Sequence, residues 1–172
     1  MAFDAPNSST ATSVNRAVAA CVRVPLSSSS DHNSTATRTE LRQLCATARS
    51  DQLREIGILR GWLRDWYGIN YEGMILPEAQ ANVARLRQIP SVEEFQNQFL
   101  DTFSMGHLQI IEESLKATRR VRHEALDNLA ESIVTSQSNQ VIQMQTWDCQ
   151  WYGECDDDLL RQAEKALKQL KT

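Results

Sequence analysis

The sequence predicts an all-α protein, and three observations carry that expectation. Apolar residues recur every three or four positions over stretches longer than a strand. Chain breakers are scarce, with 6 Gly and 4 Pro in 172 residues. One long helical stripe is also written twice. Its first copy holds Gln52, Glu55, Ile56, Leu59, Trp62 and then Trp66-Tyr67-Gly68; its second holds Gln137, Gln140, Val141, Met144, Trp147 and then Trp151-Tyr152-Gly153, at a constant offset of 85 residues. Each run lies on one face of an α-helix, and each closing glycine stands where a helix stops, because glycine enters the left-handed C-cap conformation without a Cβ penalty. Gln52, Trp62, Trp66, Gln137, Trp147 and Trp151 are the structural marks of the repeat. The length suits one well-buried core better than two independent domains, so a single domain with internal pseudo-symmetry is expected.

In chain order, residues 1–12 are Ser/Thr/Ala-rich without apolar period and read as a flexible tail. Ser13 to Val22 has helical spacing and is stopped by Pro25; Leu26 to Thr37, with four consecutive serines, reads as a connector. A long helix then starts with Thr37 or Thr39 as N-cap and Glu40 in the first turn, where the helix dipole favours an acid. Its apolar face is Leu41, Leu44, Cys45, Ala48, Ile56, Leu59, Trp62, Leu63 and Trp66. A connector through Gly73 and Met74 leads to Pro77, whose fixed φ suits the first position of a short helix ending at Gln88. Pro90 interrupts the chain, and Ser91-Val92-Glu93-Glu94 is a capping box. It opens a helix whose face is Phe95, Phe99, Leu100, Phe103, His107, Ile110, Ile111 and Leu115, with Arg119, Arg120, Arg122 and His123 around its end. The second copy of the repeat runs from near Glu124 to Gly153. Asp156-Asp157-Asp158 then opens an amphipathic last helix carrying Leu159, Leu160, Ala163, Leu167 and Leu170.

A formal net charge of −4, with Lys and Arg scattered among acids, gives no footprint for nucleic acid. No apolar run approaches the ~20 residues that span a bilayer, so no transmembrane segment is expected. The N-terminus shows neither the basic nor the apolar region of a signal peptide, which leaves an intracellular protein or a mature secreted chain. Two features lean toward secretion: glycosylation sequons at Asn7-Ser8-Ser9 and Asn33-Ser34-Thr35, and an even number of cysteines. Cys149 and Cys155 flank a helix end and can close a short disulfide if their Cα atoms come within about 7 Å; Cys21 and Cys45 would then pair. The expected location is extracellular or lumenal after processing, with a cytoplasmic bundle of reduced thiols as the alternative.

A long helix bearing Ser136-Gln137, Gln140, Met144 and Trp147, preceded by a helix with Phe95, Phe99-Leu100, the segment Phe103-Ser104-Met105-Gly106-His107 and Ile110-Ile111, resembles the ferritin-like family known as domain of unknown function 305. The resemblance covers roughly residues 38 to 152. It implies a ferritin-like four-helix bundle made from two helical hairpins; with the tail and last helix read from the residues, the expected organisation is a tail at 1–12, a duplicated hairpin bundle at 13–155 and an extra C-terminal helix at 156–172. It also implies copper or another metal held by Met and His, ligands whose softness suits that ion. In this sequence the family's His-His pair reads Gly106-His107, and Phe103 stands at the place of its upstream Met. The candidate metal set is therefore His107, Met144 and Gln137, with Met105 about 200° away from His107 around the helix.

Other chemistries lack their residues. The di-iron bundles need a Glu-x-x-His pair on each of two helices, and none involves His32, His107 or His123. The acids at Glu112-Glu113 and Asp156 to Asp158 belong to solvated helix surface or helix starts, and there is no Gly-rich phosphate loop. The Trp pairs read as packing, with an aromatic cage for a cation as the alternative. Gln52 and Gln137, amides on a core stripe, need partners: each other, or His107 for Gln137. The expected function is a non-enzymatic helical bundle without a cofactor, in a structural or protein-interaction role, including as a subunit of a larger assembly through a protein partner or self-association. The alternative is copper binding through His107 and Met144.

Overall fold

The computed structural model describes residues 38–72, 77–119, 123–155 and 157–170. Among the described residues the chain forms five α-helices and no strand: α1 (Thr39–Tyr67), α2 (Pro77–Gln88), α3 (Val92–Thr118), α4 (Glu124–Tyr152) and α5 (Asp157–Gln169). The tail at 1–12, the helix expected from Ser13, the serine-rich connector, Gly73, Met74, Arg120, Arg122 and Asp156 lie outside the described residues. Two compact units divide the chain, Met1–Gln96 and Asn97–Thr172, the boundary falling inside α3.

In the first unit, α1 buries Leu41, Leu44, Cys45, Ala48, Gln52, Glu55, Ile56, Leu59 and Leu63, the three-and-four spacing of a single helical face. Fully burying each of these large apolar side chains is worth about 1.5–3 kcal/mol, so the stripe is the main reason the helix holds. Its N-cap is Arg38 and not a threonine, with no side-chain cap. The Arg38 backbone N–H donates instead to Gln96 Oε1 at 2.8 Å, tying the start of α1 to the first turn of α3. At the other end Gly68 adopts φ 68°, and the Gly68 and Ile69 N–H groups donate to the Arg64 and Leu63 carbonyls at 2.9 and 3.1 Å. This pair of bonds satisfies carbonyls that the helix would otherwise leave open. Pro77 is the first residue of α2, which buries Ala79 and Leu86. The Glu94 N–H donates to Ser91 Oγ at 3.3 Å, one half of the expected capping box.

In the second unit, α3 buries Phe99, Leu100, Phe103, Ser104, His107, Ile110, Ile111 and Ser114. α4 buries Ala130, Ile133, Val134, Gln137, Ser138, Val141, Met144, Gln145 and Asp148. Gly153 ends α4 at φ 73°, its N–H donating to the Cys149 carbonyl at 3.1 Å. Cys149 and Cys155 form a disulfide, with Cα atoms 4.4 Å apart. The chain then enters α5, which packs on α4 and buries Ala163 and Ala166, while Leu159, Leu160, Leu167 and Leu170 are half-buried. Cys45 is a free buried thiol in the core stripe of α1, and Cys21, the partner expected for it, lies outside the described residues.

The ends of α1 and α4 carry the same aromatic arrangement. Trp62 stacks on Trp66 at 4.9 Å and 9°, and Trp147 on Trp151 at 5.1 Å and 10°. Tyr67 and Tyr152 meet Trp66 and Trp151 edge-on at 6.3 and 6.4 Å. Parallel stacking fills the space between the two indoles of each pair with the rings themselves.

Candidate functional site

His107 is the polar residue at the centre of the second unit. It sits on the face of α3 that also carries Phe99, Phe103 and Ile110, and it is fully buried. Phe103, one turn earlier, meets the imidazole edge-on at 4.3 Å. Nδ1 lies 2.9 Å from the Phe103 carbonyl and Nε2 lies 2.7 Å from Oε1 of the half-buried Gln140 on α4. Burial is the dominant cause that holds the His107 pKa down at about 4, outweighing both hydrogen bonds. The ring is therefore neutral near pH 7 and has one N–H. Both neighbouring atoms are oxygens, but the Phe103 carbonyl is fixed in the helix backbone whereas the Gln140 amide can turn, so Nδ1 carries the proton and donates to Phe103. Nε2 then accepts from the amide, and Gln140 turns its NH₂ toward the ring by a half-rotation of that group.

The α4 stripe opposite is polar at several buried places. Gln137 is buried, and neither its Oε1 nor its Nε2 has a hydrogen-bond partner; Ser138 Oγ, next to it, has none either. The partner of His107 is thus Gln140, one turn beyond the expected Gln137. Met144, a further turn along, is fully buried, whereas Met105 on α3 is 48% exposed and takes no part in this interior. Below them Gln145 Nε2 donates to Ser104 Oγ at 3.1 Å, a second polar tie between α3 and α4. Of the sequence-derived metal set, the helices bring His107, Gln137 and Met144 into the buried faces of α3 and α4.

A cluster that sequence reasoning missed lies near the end of α4. Carboxylate oxygens of Asp101, Asp148 and Glu154 all lie within 4.8 Å of one another, the one group of three such ligand residues among the described residues. Asp148 is buried and accepts a bond from Asn97 Nδ2 at 3.3 Å; Glu154 is exposed, inside the loop closed by the Cys149–Cys155 disulfide. No spacing motif announces this cluster, because it depends on the pairing of α3 with α4 and on the turn after Gly153.

In the first unit, Glu55 occupies the place in the stripe that Gln140 occupies in α4. It is buried, its Oε2 has no hydrogen-bond partner, and burial, reinforced by Asp51 and opposed by Arg54, raises its pKa to about 7. Gln52, one turn before it, is buried with both amide atoms unpartnered. Among the described residues neither Gln52 nor Gln137 has a hydrogen-bond partner for its side-chain amide, so the bonds expected of the repeated glutamines are not made there.

Two solved structures share the fold. The chain is similar to CopM in its Cu(II)-bound form, with 19% identity over 84% of this chain and 94% of that one, at a TM-score of 0.69. It is likewise similar to CopM in its Cu(I)-bound form, with 18% identity over 88% of this chain and all of that one, at a TM-score of 0.71. At such identities the likeness establishes an all-α bundle. No curated protein matches. The model of the family described as Domain of unknown function (DUF305) matches residues 29–148, and by that match over more than half of its length the chain belongs to the DUF305 family.

Proposed function

We propose that this protein is a non-catalytic helical-bundle member of the DUF305 family, acting as a scaffold or protein-interaction module at an extracellular or lumenal location. The observation that carries the reading is the state of His107. Both of its ring nitrogens are engaged inside the core, by the Phe103 carbonyl and the Gln140 amide. A general base or metal ligand needs a nitrogen free to meet its substrate or ion, and a histidine buried and satisfied on both sides serves packing specificity instead. The Cys149–Cys155 disulfide supports an oxidising compartment. The twice-written Trp-x-x-x-Trp-Tyr-Gly helix end supports a duplicated architecture as the source of the scaffold.

Copper binding is the second reading, supported by the copper-bound forms of the two similar structures. His107 and Met144 would be its ligands: one imidazole and one thioether, both soft enough for Cu(I). When bound there, copper would bring a positive charge into the bundle and tie α3 to α4. Titrating the purified chain with Cu(I) and with Cu(II) separates the readings. The scaffold reading expects no stoichiometric uptake; uptake of one equivalent that disappears in His107→Ala would establish the copper reading.

A further inference from the structure

We infer that the Cys149–Cys155 disulfide is a redox-sensitive latch on α5: its reduction releases the last helix from α4 and leaves the rest of the second unit folded. α5 has 13 residues, and helices shorter than about 12–15 residues are marginal in water alone, so it depends on what it packs against. That packing is thin. Its fully buried residues are Ala163 and Ala166, and an alanine removes little apolar surface from water. Leu159, Leu160, Leu167 and Leu170 are half-buried. At the far end of α5, Arg119 Nη2 donates to Gln169 Oε1 at 3.5 Å, an exposed and long bond that holds little.

The start of α5 is fixed covalently. Cys149 lies in the last turn of α4, Cys155 stands just before Asp157, and the bond holds their Cα atoms 4.4 Å apart. With the bond closed, the turn between the helices is already ordered when α5 meets α4. With it open, docking must also immobilise that turn, and the backbone entropy lost there opposes it. Charge opposes it as well: Glu154, inside the closed loop, lies within 4.8 Å of the Asp101 and Asp148 carboxylates, and like charges disfavour close approach. Cys155 is exposed and Cys149 half-buried, and exposed disulfides are the ones that exchange readily with thiols. A dithiol reductant supplies a thiolate that attacks the Cys155 sulfur; the Cys149 sulfur leaves with the bonding pair and takes a proton. The second thiol of the reductant then displaces Cys155, which leaves as a thiol. The reductant departs as a disulfide, two electrons having passed to the protein.

The test is hydrogen–deuterium exchange of the full chain, read by mass spectrometry before and after reduction with dithiothreitol, with the mass gain of two hydrogens as proof that the bond is open. In the reduced chain the amides of 159–169 are expected to exchange about tenfold faster or more, while those of 126–145 keep their rates. The double variant Cys149→Ser with Cys155→Ser is expected to show the reduced pattern without reductant, which separates loss of the bond from any other effect of the dithiol. Should that variant fail to fold, reduction of the native chain carries the test alone. Unchanged exchange of 159–169 on reduction overturns the inference. Acceleration throughout 126–145 overturns it too, since the bond would then fasten the whole unit and not the last helix. Neither result touches the scaffold reading, which rests on His107.

Discussion

Glu55 and His107 are buried titratable residues whose pKa values move in opposite senses, and stability should depend on pH through both. The carboxyl of Glu55 is raised from 4.5 to about 7. Between those values the folded chain holds a proton that the unfolded chain has released, so stability is full below the lower value and falls as pH rises toward the upper one. Glu55→Gln removes that loss. Urea unfolding at about pH 8 should show the variant more stable than the native chain by up to roughly 3 kcal/mol, with the gain vanishing near pH 4. His107 is lowered from 6.5 to about 4. Its contribution is therefore full above the higher value and lost as pH falls toward the lower one. His107→Ala should cost about 2–4 kcal/mol at neutral pH through the cavity and the lost hydrogen bonds, and the difference from the native chain should shrink in acid. Residue burial was legible from the stripe: Gln52, His107, Gln137 and Met144 all fall on core faces. Partner identity was not, because Gln137 and Gln140 are the same residue type one turn apart and only the register of α4 on α3 chooses between them.

At the scale of elements, the helix ends show how local sequence reads through to backbone. Gly68 and Gly153 have φ of 68° and 73°, and an added Cβ at either would meet nothing within 4 Å. Alanine at either place should therefore cost about 1–2 kcal/mol through backbone conformation alone, without steric repair, and chemical denaturation of Gly68→Ala and Gly153→Ala should return similar losses. The two ends are fastened differently. α1 closes with bonds from the Gly68 and Ile69 N–H groups, whereas α4 closes with one bond from Gly153 and the covalent link between Cys149 and Cys155. Alkylation in denaturant without reductant should label Cys45 and spare Cys149 and Cys155; labelling of all three would remove the disulfide. Breaking it should cost about 2 kcal/mol, toward the low end of the usual range because the closed loop is short. Pro77, the Ser91 cap, the Glu124 start and both glycine stops were legible because each answers to one residue's own stereochemistry. The start of α1 was not, since no side chain caps it and the N–H of its N-cap residue Arg38 is bound by Gln96, far along the chain.

At the scale of the whole molecule, an all-α bundle and the family follow from helical periodicity and a motif that spacing preserves. Chemistry was harder to read. The Asp101, Asp148 and Glu154 carboxylates converge only once α3 meets α4, and a list of residues holds no trace of that meeting. Among the described residues no helix is long and apolar enough to cross a membrane. The central claim, that the core histidine belongs to the scaffold, turns on which nitrogen of His107 carries the proton and what faces the other. Imidazole ¹⁵N resonances of the full chain report both directly. The scaffold assignment expects a protonated Nδ1 and a bare, hydrogen-bonded Nε2, unchanged from about pH 8 to about pH 5 and unmoved by Cu(I). A protonated Nε2, titration near the ordinary histidine value, or an Nε2 resonance that shifts when one equivalent of Cu(I) is added would contradict it.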